Sequence, residues 1–179
     1  MVTHQHDGHA ATGSTVVEAL YGSLVQGDVT ALLAGLDERI EWTVPPGLHY
    51  GGTYRGREEI LENVFSRFVT EWQDFTVAPA EIMDAGGRVV ALGHCSGRNP
   101  AIGKPMRTRF VHVWRLRDGV PVHFETVLDT HTMVAAMGTG SLLQPTEQHH
   151  AGRAPPLSGA DPVGRSWLRP VLRIERRST

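Results

Sequence analysis

Apolar and polar residues alternate most clearly between residues 106 and 128, a pattern typical of β-strands. One face of the first strand carries Thr108, Phe110, His112, Trp114 and Leu116. The opposite face carries Arg107, Arg109, Val111, Val113 and Arg115. Because a row with arginines faces water or a partner, the row with His112 is predicted to face the core. This places a titratable ring in the middle of an apolar row.

Before the strands, apolar residues recur at helical spacing in three segments. A first helix is predicted to follow the capping box Thr15-Val-Val-Glu18, and a second to follow the cap Asp28. A short strand is predicted from Arg39 to Val44, and a third helix over residues 57–68. The glycine-rich segment Leu48–Gly56 between them is predicted to be a loop that can act as a lid.

From Phe75 onward the period changes to two, which predicts strands over residues 74–84, 88–97, 106–117 and 120–128. The short connections, among them Asp118-Gly119, favour an antiparallel meander. A short helix is expected after Asp129. The order of elements therefore predicts an α+β fold in which a curved antiparallel sheet wraps around three N-terminal helices. Such a cone-shaped arrangement forms a natural cavity for a small molecule.

The chain is predicted to divide into a flexible arm at residues 1–13, one domain at 14–137 and a Pro/Arg-rich tail at 138–179. With a formal net charge of -2, nothing in the composition indicates nucleic acid or an anionic membrane as a partner. No apolar run approaches the ~20 residues of a membrane helix, and no signal peptide is visible. The single cysteine, Cys95, suits a reducing cytoplasm and excludes a four-thiolate metal site. The terminal histidines do not match known metal-ligand spacings, so no metal is expected.

Several short segments, taken in their order, resemble the SnoaL-like group of polyketide-cyclase relatives within the nuclear-transport-factor-two-like superfamily. The segments are Tyr21 with Gly27-Asp28, Ile40-Glu41-Trp42, Pro45-Pro46-Gly47, Gly52-Thr53-Tyr54-Arg55-Gly56, Gly103-Lys104-Pro105, His112 to Gly119, and Asp129-Thr130. The resemblance spans about residues 14–137. It implies a cone-shaped α+β barrel with an internal pocket, which usually forms a homodimer through the outer face of its sheet.

The carboxylates of characterised relatives are not matched here. The resemblance places the base of the ketosteroid isomerases near Thr43-Val44-Pro45, which contains no acid. Their hydrogen-bond-donating acid falls near His112. The aspartate of the cyclases and epoxide hydrolases falls at Thr126, within an inward series of Val122, Phe124, Thr126 and Leu128.

Three residues are the candidate catalytic groups. His112 can accept and donate a proton near neutral pH, although a hydrogen-bonded core histidine is the alternative. Tyr21 can donate a hydrogen bond to a substrate oxygen, with an aromatic core residue as the alternative. His94 lies near His112 if Val90 and Leu92 face inward, whereas Ala91, Gly93 and Cys95 would form the inner row in the other register.

Other residues are expected to contact the ligand. Trp42, Trp114, Phe110 and Phe124 are predicted to wall the pocket and to select a flat, apolar molecule, with Thr126 as an orienting hydroxyl. Tyr54 and Trp72 are expected at the entrance. Asp129 is either a helix cap or a carboxylate at the mouth of the pocket.

The leading hypothesis is an enzyme without a cofactor that acts by proton transfer on a hydrophobic carbonyl compound such as a polyketide. The reaction would be a cyclisation, isomerisation or dehydration. The second hypothesis is a non-catalytic binding or scaffold protein of the same fold, favoured by the missing carboxylates. A third, an epoxide hydrolase, requires an inward Asp-Arg-Asp arrangement that the strands do not supply.

Overall fold

The computed structural model describes residues 12–138 of the 179-residue chain. Except for Gly138, the predicted tail at 138–179 lies outside the described residues, as does the predicted arm at 1–13 except for its last two residues. The domain boundaries at 13/14 and 137/138 therefore stay predictions.

The first two helices begin at side-chain caps. Helix α1 spans Gly13–Val25, and Thr12 caps it by accepting a hydrogen bond from the backbone N–H of Thr15. The predicted cap at Thr15 is thus wrong by three residues. Helix α2 spans Val29–Ala34 and is capped by Asp28 as predicted.

The third helical segment runs from residue 56 to residue 71 and contains an irregular turn. It consists of α3 at Gly56–Ile60, a π-helical turn at Leu61–Phe65 and α4 at Ser66–Glu71. A π-turn places one extra residue in the helix and is often found at functional sites. Here it directs Val64 and Phe65 into the interior.

Six strands form one mixed sheet. They are β1 Glu41–Val44, β2 Gly52–Arg55, β3 Gln73–Asp84, β4 Arg88–Arg98, β5 Pro105–Arg117 and β6 Val120–Leu128. Their spatial order is β2-β1-β6-β5-β4-β3. The four long strands form the predicted antiparallel meander. Strand β1 joins it in parallel beside β6, with Trp42 opposite Phe124.

Strand β2 occupies the second half of the segment that the sequence pattern predicts as a loop. It pairs antiparallel with β1, so that Tyr54 lies opposite Trp42. The hydroxyl groups of Thr43 and Thr53 are 3.0 Å apart and bridge the two strands on the exposed face. This pairing holds Gly52–Arg55 against the sheet, so this part of the segment is a strand and not a loop. That the segment acts as a lid stays a prediction.

A β-bulge shifts the register at the start of β6. Trp114 pairs with Phe124, but Leu116 pairs with Pro121, so β6 has one extra residue at this point. Val122 consequently lies with Arg115 and Arg117 in a polar depression on the outer face. The prediction that Val122 belongs to the inner series is wrong for this reason.

The helices cover the inner face of the sheet. Helix α1 packs against β3 and β4, and α5, at Thr130–Met137, packs against β5. The α+β class and the curved sheet with N-terminal helices agree with the prediction. Within residues 12–138, no helix has the length and hydropathy to cross a membrane.

Candidate functional site

A cavity lies between the inner face of the sheet and the helices, with walls from α1, α2, the π-helical turn, α4 and α5. Most of its lining is aromatic or aliphatic, and the residues able to form hydrogen bonds are Tyr21, Trp42, Tyr50, Cys95, His112, Trp114 and Thr126. No Asp, Glu, Lys or Arg is among the described residues that line it. The cavity volume is about 70 Å³ when only the positions available to the centre of a water molecule are counted. It is about 730 Å³ when all the space up to the wall atoms, including solvent at the mouth, is counted. The cavity therefore suits an apolar molecule that makes few polar contacts.

The strongest polar contact in the cavity joins Tyr21 to His112. The Tyr21 hydroxyl lies 2.7 Å from His112 Nδ1, in a buried position. Trp114 Nε1 donates to the same hydroxyl oxygen over 3.4 Å. Tyr21 comes from α1 and the other two from the inner row of β5, so the helix and the sheet build the contact together.

The chemistry of the three groups favours one tautomer of His112. The Trp114 indole can only donate, so the Tyr21 oxygen accepts from it. If the Tyr21 O–H in turn donates to His112 Nδ1, then the indole N–H, the phenol O–H and Nδ1 each have a partner. The opposite arrangement leaves the phenol proton without one. His112 therefore carries its proton on Nε2, which has no hydrogen-bond partner within residues 12–138.

Burial keeps both groups of this pair uncharged. Desolvation lowers the pKa of His112 from 6.5 to about 3, because the charged imidazolium is disfavoured away from water. Desolvation also raises the pKa of Tyr21 well above its usual value, and the Trp114 hydrogen bond offsets only part of that rise. At neutral pH the site presents a neutral Nε2–H donor rather than a base.

Thr126 lies directly opposite His112 on the neighbouring strand. Its hydroxyl oxygen is buried and has no partner in the part of the chain that the structure describes. A buried polar group without a partner is uncommon and calls for an explanation. His112 Nε2 and the Thr126 hydroxyl, which have no partner among the described residues, could both form hydrogen bonds to a polar atom of a bound ligand.

The predicted aromatic walls lie around this pair. Trp42 stacks on Phe124 with ring centroids 3.8 Å apart, and Trp114 lies edge-on to Trp42 at 5.7 Å. These three rings line the cavity. Phe110 is buried but lies behind His112 rather than in the lining.

His94 lies on the outer face of the sheet, contrary to the register that would bring it near His112. The inner row of β4 consists of Val89, Ala91, Gly93 and Cys95, which alternate with half-buried neighbours. His94 pairs with Arg109 on the outer face of β5. It is therefore removed from the candidate site.

Three further predicted residues do not touch the cavity. The Tyr54 hydroxyl donates to the backbone oxygen of Tyr50 over 2.6 Å and so fixes the chain behind the cavity. Trp72 is fully buried outside the lining. Asp129 caps α5 by accepting hydrogen bonds from the backbone N–H and the hydroxyl of Thr132. Of its two interpretations, the cap is correct.

Sequence reasoning missed Tyr50, which lines the cavity, and the group of charged residues beside it. His49 Nε2 lies 2.8 Å from Glu71 Oε1, and Arg67 Nη1 lies 3.4 Å from the same oxygen. Tyr50 lies in a glycine-flanked segment without periodicity, so the sequence pattern does not predict whether its side chain points to the core or to the solvent. A large aromatic residue among glycines was the one sign that it could be buried.

No group of three or more His, Cys, Asp or Glu side chains is placed to hold a metal ion among the described residues. The histidines at positions 4, 6, 9, 149 and 150 lie outside them. The chemistry that the described cavity supports is hydrogen bonding by neutral donors inside an apolar enclosure.

A family model for the SnoaL-like domain matches residues 17–124. This range contains the Tyr21–His112 pair, the aromatic walls and Tyr50. A comparison with curated proteins finds no match.

Solved structures agree with the family match. A nuclear-transport-factor-two-like protein from Burkholderia thailandensis is 36% identical, with a TM-score of 0.69, and covers 72% of this chain and 99% of its own. A second such protein of unknown function, from Burkholderia pseudomallei, is 29% identical, with a TM-score of 0.65 and coverages of 71% and 98%. TerC, crystallised with polyporic acid, is 27% identical, with a TM-score of 0.64 and coverages of 70% and 98%.

Proposed function

Because the chain belongs to the SnoaL-like domain family, we propose that it is a cofactor-independent enzyme for a hydrophobic carbonyl compound of the polyketide type. The reaction is a cyclisation, isomerisation or dehydration in which charge develops on the carbonyl oxygen. The observation that carries this proposal is the 2.7 Å contact between Tyr21 and His112 Nδ1, buried in an otherwise apolar cavity.

In this proposal His112 Nε2–H donates to the carbonyl oxygen of the substrate. When a water molecule that enters the cavity takes a proton from the carbon next to the carbonyl, the electron pair of the broken C–H bond moves toward the carbonyl oxygen. The negative charge on that oxygen strengthens the hydrogen bond from Nε2–H, and the proton leaves with the water. Tyr21 accordingly acts as a positioning residue, because its hydroxyl is occupied by His112 Nδ1. The roles expected from the sequence, His112 as the acid or base and Tyr21 as the donor to substrate, are revised.

Full proton transfer through the pair is opposed by the environment. Moving the Nε2 proton to substrate while Nδ1 takes the proton of Tyr21 would leave a buried tyrosinate. The raised pKa of Tyr21 and the lowered pKa of His112 both disfavour charged forms of these groups. The pair therefore works as a fixed hydrogen-bond donor.

The cavity walls support a flat, apolar substrate. Trp42, Phe124 and Trp114 offer ring faces and edges to a planar molecule. The crystallisation of TerC with polyporic acid makes polyporic acid the first compound to test on this chain, beside planar aryl ketones that match the cavity walls.

The test measures binding and conversion separately. Polyporic acid and a panel of aryl ketones are titrated against the protein by quenching of tryptophan fluorescence, and each mixture is analysed by mass spectrometry for products. The variants are His112→Leu and, as a matched control on the outer face, His94→Leu. We expect conversion of at least one compound by the wild type and by His94→Leu, and none by His112→Leu.

A second function, that of a non-catalytic small-molecule-binding protein, is favoured by one observation. Among the described lining residues there is no carboxylate to take up a proton from the substrate. Binding of the panel without conversion of any compound supports this second function. Absence of both binding and conversion contradicts both functions.

We also propose a homodimer through the outer face of the sheet. Val127 is 53% exposed there, and Val111 and Val113 beside it are half-buried in the monomer. Analytical ultracentrifugation is expected to show a dimer that Val127→Glu dissociates. Val120→Glu changes a similarly exposed valine, 40% accessible at the start of β6, and serves as the control. A monomeric wild type at micromolar concentration would contradict the proposal.

A further inference from the structure

Tyr50 forms part of the cavity wall, in the segment between β1 and β2. Its side chain is 95% buried, and its backbone oxygen accepts the hydrogen bond from Tyr54. The ring of His49 packs edge-on against it with centroids 4.9 Å apart. These contacts fix the Tyr50 ring in one position.

Within residues 12–138, the hydrogen bond that Tyr54 donates to Tyr50 reaches its backbone oxygen, and the Tyr50 hydroxyl takes part in none. A buried phenol usually has a partner. Tyr21 shows the contrast, since its hydroxyl has two partners in the same cavity. An open phenol in a cavity wall is a hydrogen-bond donor available to a ligand.

Tyr50 and His112 reach the cavity from different elements. Tyr50 lies in the segment between β1 and β2, beside His49 and the Glu71 carboxylate at the end of α4. His112 lies in the middle of β5, opposite Ala91 of β4 and Thr126 of β6.

The charges beside Tyr50 restrict what it can bind. Burial first, and then the negative charge of Glu71, raise the pKa of Tyr50 above its usual value, so the phenol stays protonated and donates. Arg67 only partly offsets Glu71. A carboxylate on the ligand at this end would be repelled by Glu71 and would have to lose its hydration, which is costly in an apolar cavity.

We infer that Tyr50 Oη is a second ligand-binding group, and that the ligand is uncharged and elongated with an oxygen acceptor near each end. One acceptor meets His112 Nε2–H and the other meets the Tyr50 hydroxyl. This inference rests on the proposed function, because it takes the same cavity as the binding site and His112 as its first donor.

Three related probes test the inference. They are biphenyl with one para-acetyl group, biphenyl with acetyl groups at both para positions, and para-acetylbiphenyl with a carboxylate at the far para position. Dissociation constants are measured by calorimetry for the wild type, Tyr50→Phe, His112→Leu and Tyr54→Phe. Tyr54→Phe removes a phenol from the same segment that does not line the cavity.

We expect the wild type to bind the diacetyl probe about three- to tenfold more tightly than the monoacetyl probe, because the second acetyl oxygen accepts one additional neutral hydrogen bond from Tyr50. Tyr50→Phe is expected to bind the two ketones equally, and Tyr54→Phe is expected to keep the preference for the diacetyl probe. The carboxylate probe is expected to bind most weakly. Melting temperatures confirm that each variant is folded.

The outcomes separate the two proposals. A preference for the diacetyl probe that survives in Tyr50→Phe, or tightest binding of the carboxylate probe, overturns the second binding group. Equal affinity of the wild type for both ketones also overturns it, while sensitivity of the monoacetyl probe to His112→Leu still supports the proposed function. If the wild type binds neither ketone, both proposals are wrong.

Discussion

The imidazole of His112 lies flat against the ring of Phe110, with centroids 3.8 Å apart and planes inclined by 17°. The Tyr21 hydroxyl holds Nδ1 at the edge of the same ring. One contact fixes the plane of the imidazole and the other its rotation in that plane. The direction of Nε2–H is thus set before a ligand binds, which is what an effective hydrogen-bond donor in a catalytic site requires.

Substituting Tyr21→Phe removes the acceptor for Trp114 and the donor to His112 while keeping the aromatic ring. We expect unfolding free energy to fall by about 1 kcal/mol, and affinity for the monoacetyl probe to fall up to about tenfold as the tautomer is no longer fixed. Urea unfolding and nitrogen NMR of the imidazole measure the two effects. Tyr54→Phe, whose hydroxyl bonds a backbone oxygen elsewhere, should leave the tautomer unchanged.

Stability should depend on pH through His112. Its pKa is about 3 in the folded protein and about 6.5 when unfolded, so between these values the unfolded chain binds the additional proton. Protonation of His112 in the unfolded chain therefore does not destabilise the protein above pH 6.5, but destabilises it increasingly as the pH falls toward 3. The loss of unfolding free energy approaches about 1.4 kcal/mol per pH unit.

The comparison that isolates this contribution is with His112→Leu, which lacks the titrating group. Urea unfolding of both proteins at pH 7.5, 6 and 5 should show the wild type losing more stability than the variant as the pH falls. A His112 resonance that titrates near pH 6.5 in the folded protein would contradict the burial argument.

Most elements of the fold could be predicted from periodicity. Helix α1 and most of the long strands of the meander bury one face and expose the other, so their apolar residues recur at a regular spacing. The inward direction of His112 followed from the arginines on the opposite face of β5. The nuclear-transport-factor-two-like fold itself came from the ordered short segments of the resemblance.

The errors fall where periodicity carries no information. Strand β4 has small or apolar residues on both faces, so the register that decides the position of His94 could not be read from its sequence. The bulge that turns Val122 outward depends on the pairing with β5. Strand β2 and Tyr50 lie among glycines, where tertiary contacts alone determine the conformation.

Asp129→Ala should lower stability without changing ligand affinity, because Asp129 caps α5 and does not line the cavity. The Thr132 hydroxyl and backbone N–H hold the pKa of Asp129 below its usual value. The folded state therefore gains stability from this carboxylate above pH 3.8 and loses it as the pH falls further. Melting temperature and calorimetric titration with the diacetyl probe measure the two quantities. Weakened binding with an unchanged melting temperature would favour the ligand-contact interpretation.

Two substitutions of glycine by alanine should change the stability of the protein in opposite directions. A Cβ at Gly93 would lie 2.2 Å from the backbone oxygen of Ala78 and 2.6 Å from the Phe110 ring, so Gly93→Ala should destabilise by about 3 kcal/mol or more. Gly22 in α1 has open space around it, and Gly22→Ala should stabilise by about 0.5–1 kcal/mol. Urea midpoints of the two variants give both signs. A Gly93→Ala variant as stable as the wild type would contradict the close approach of β3 and β4.

The parallel pairing of β1 with β6 has a consequence for the order of folding. Trp42 and Phe124 are about 80 positions apart in the chain, yet their stacked rings join the first strand to the last. Closing so long a loop is costly in entropy until the meander exists to receive β1. We therefore expect β3 to β6 to form first during refolding and β1 to dock late. The change in Trp42 fluorescence should then lag behind the appearance of β-structure, and it would report the closure of the cavity.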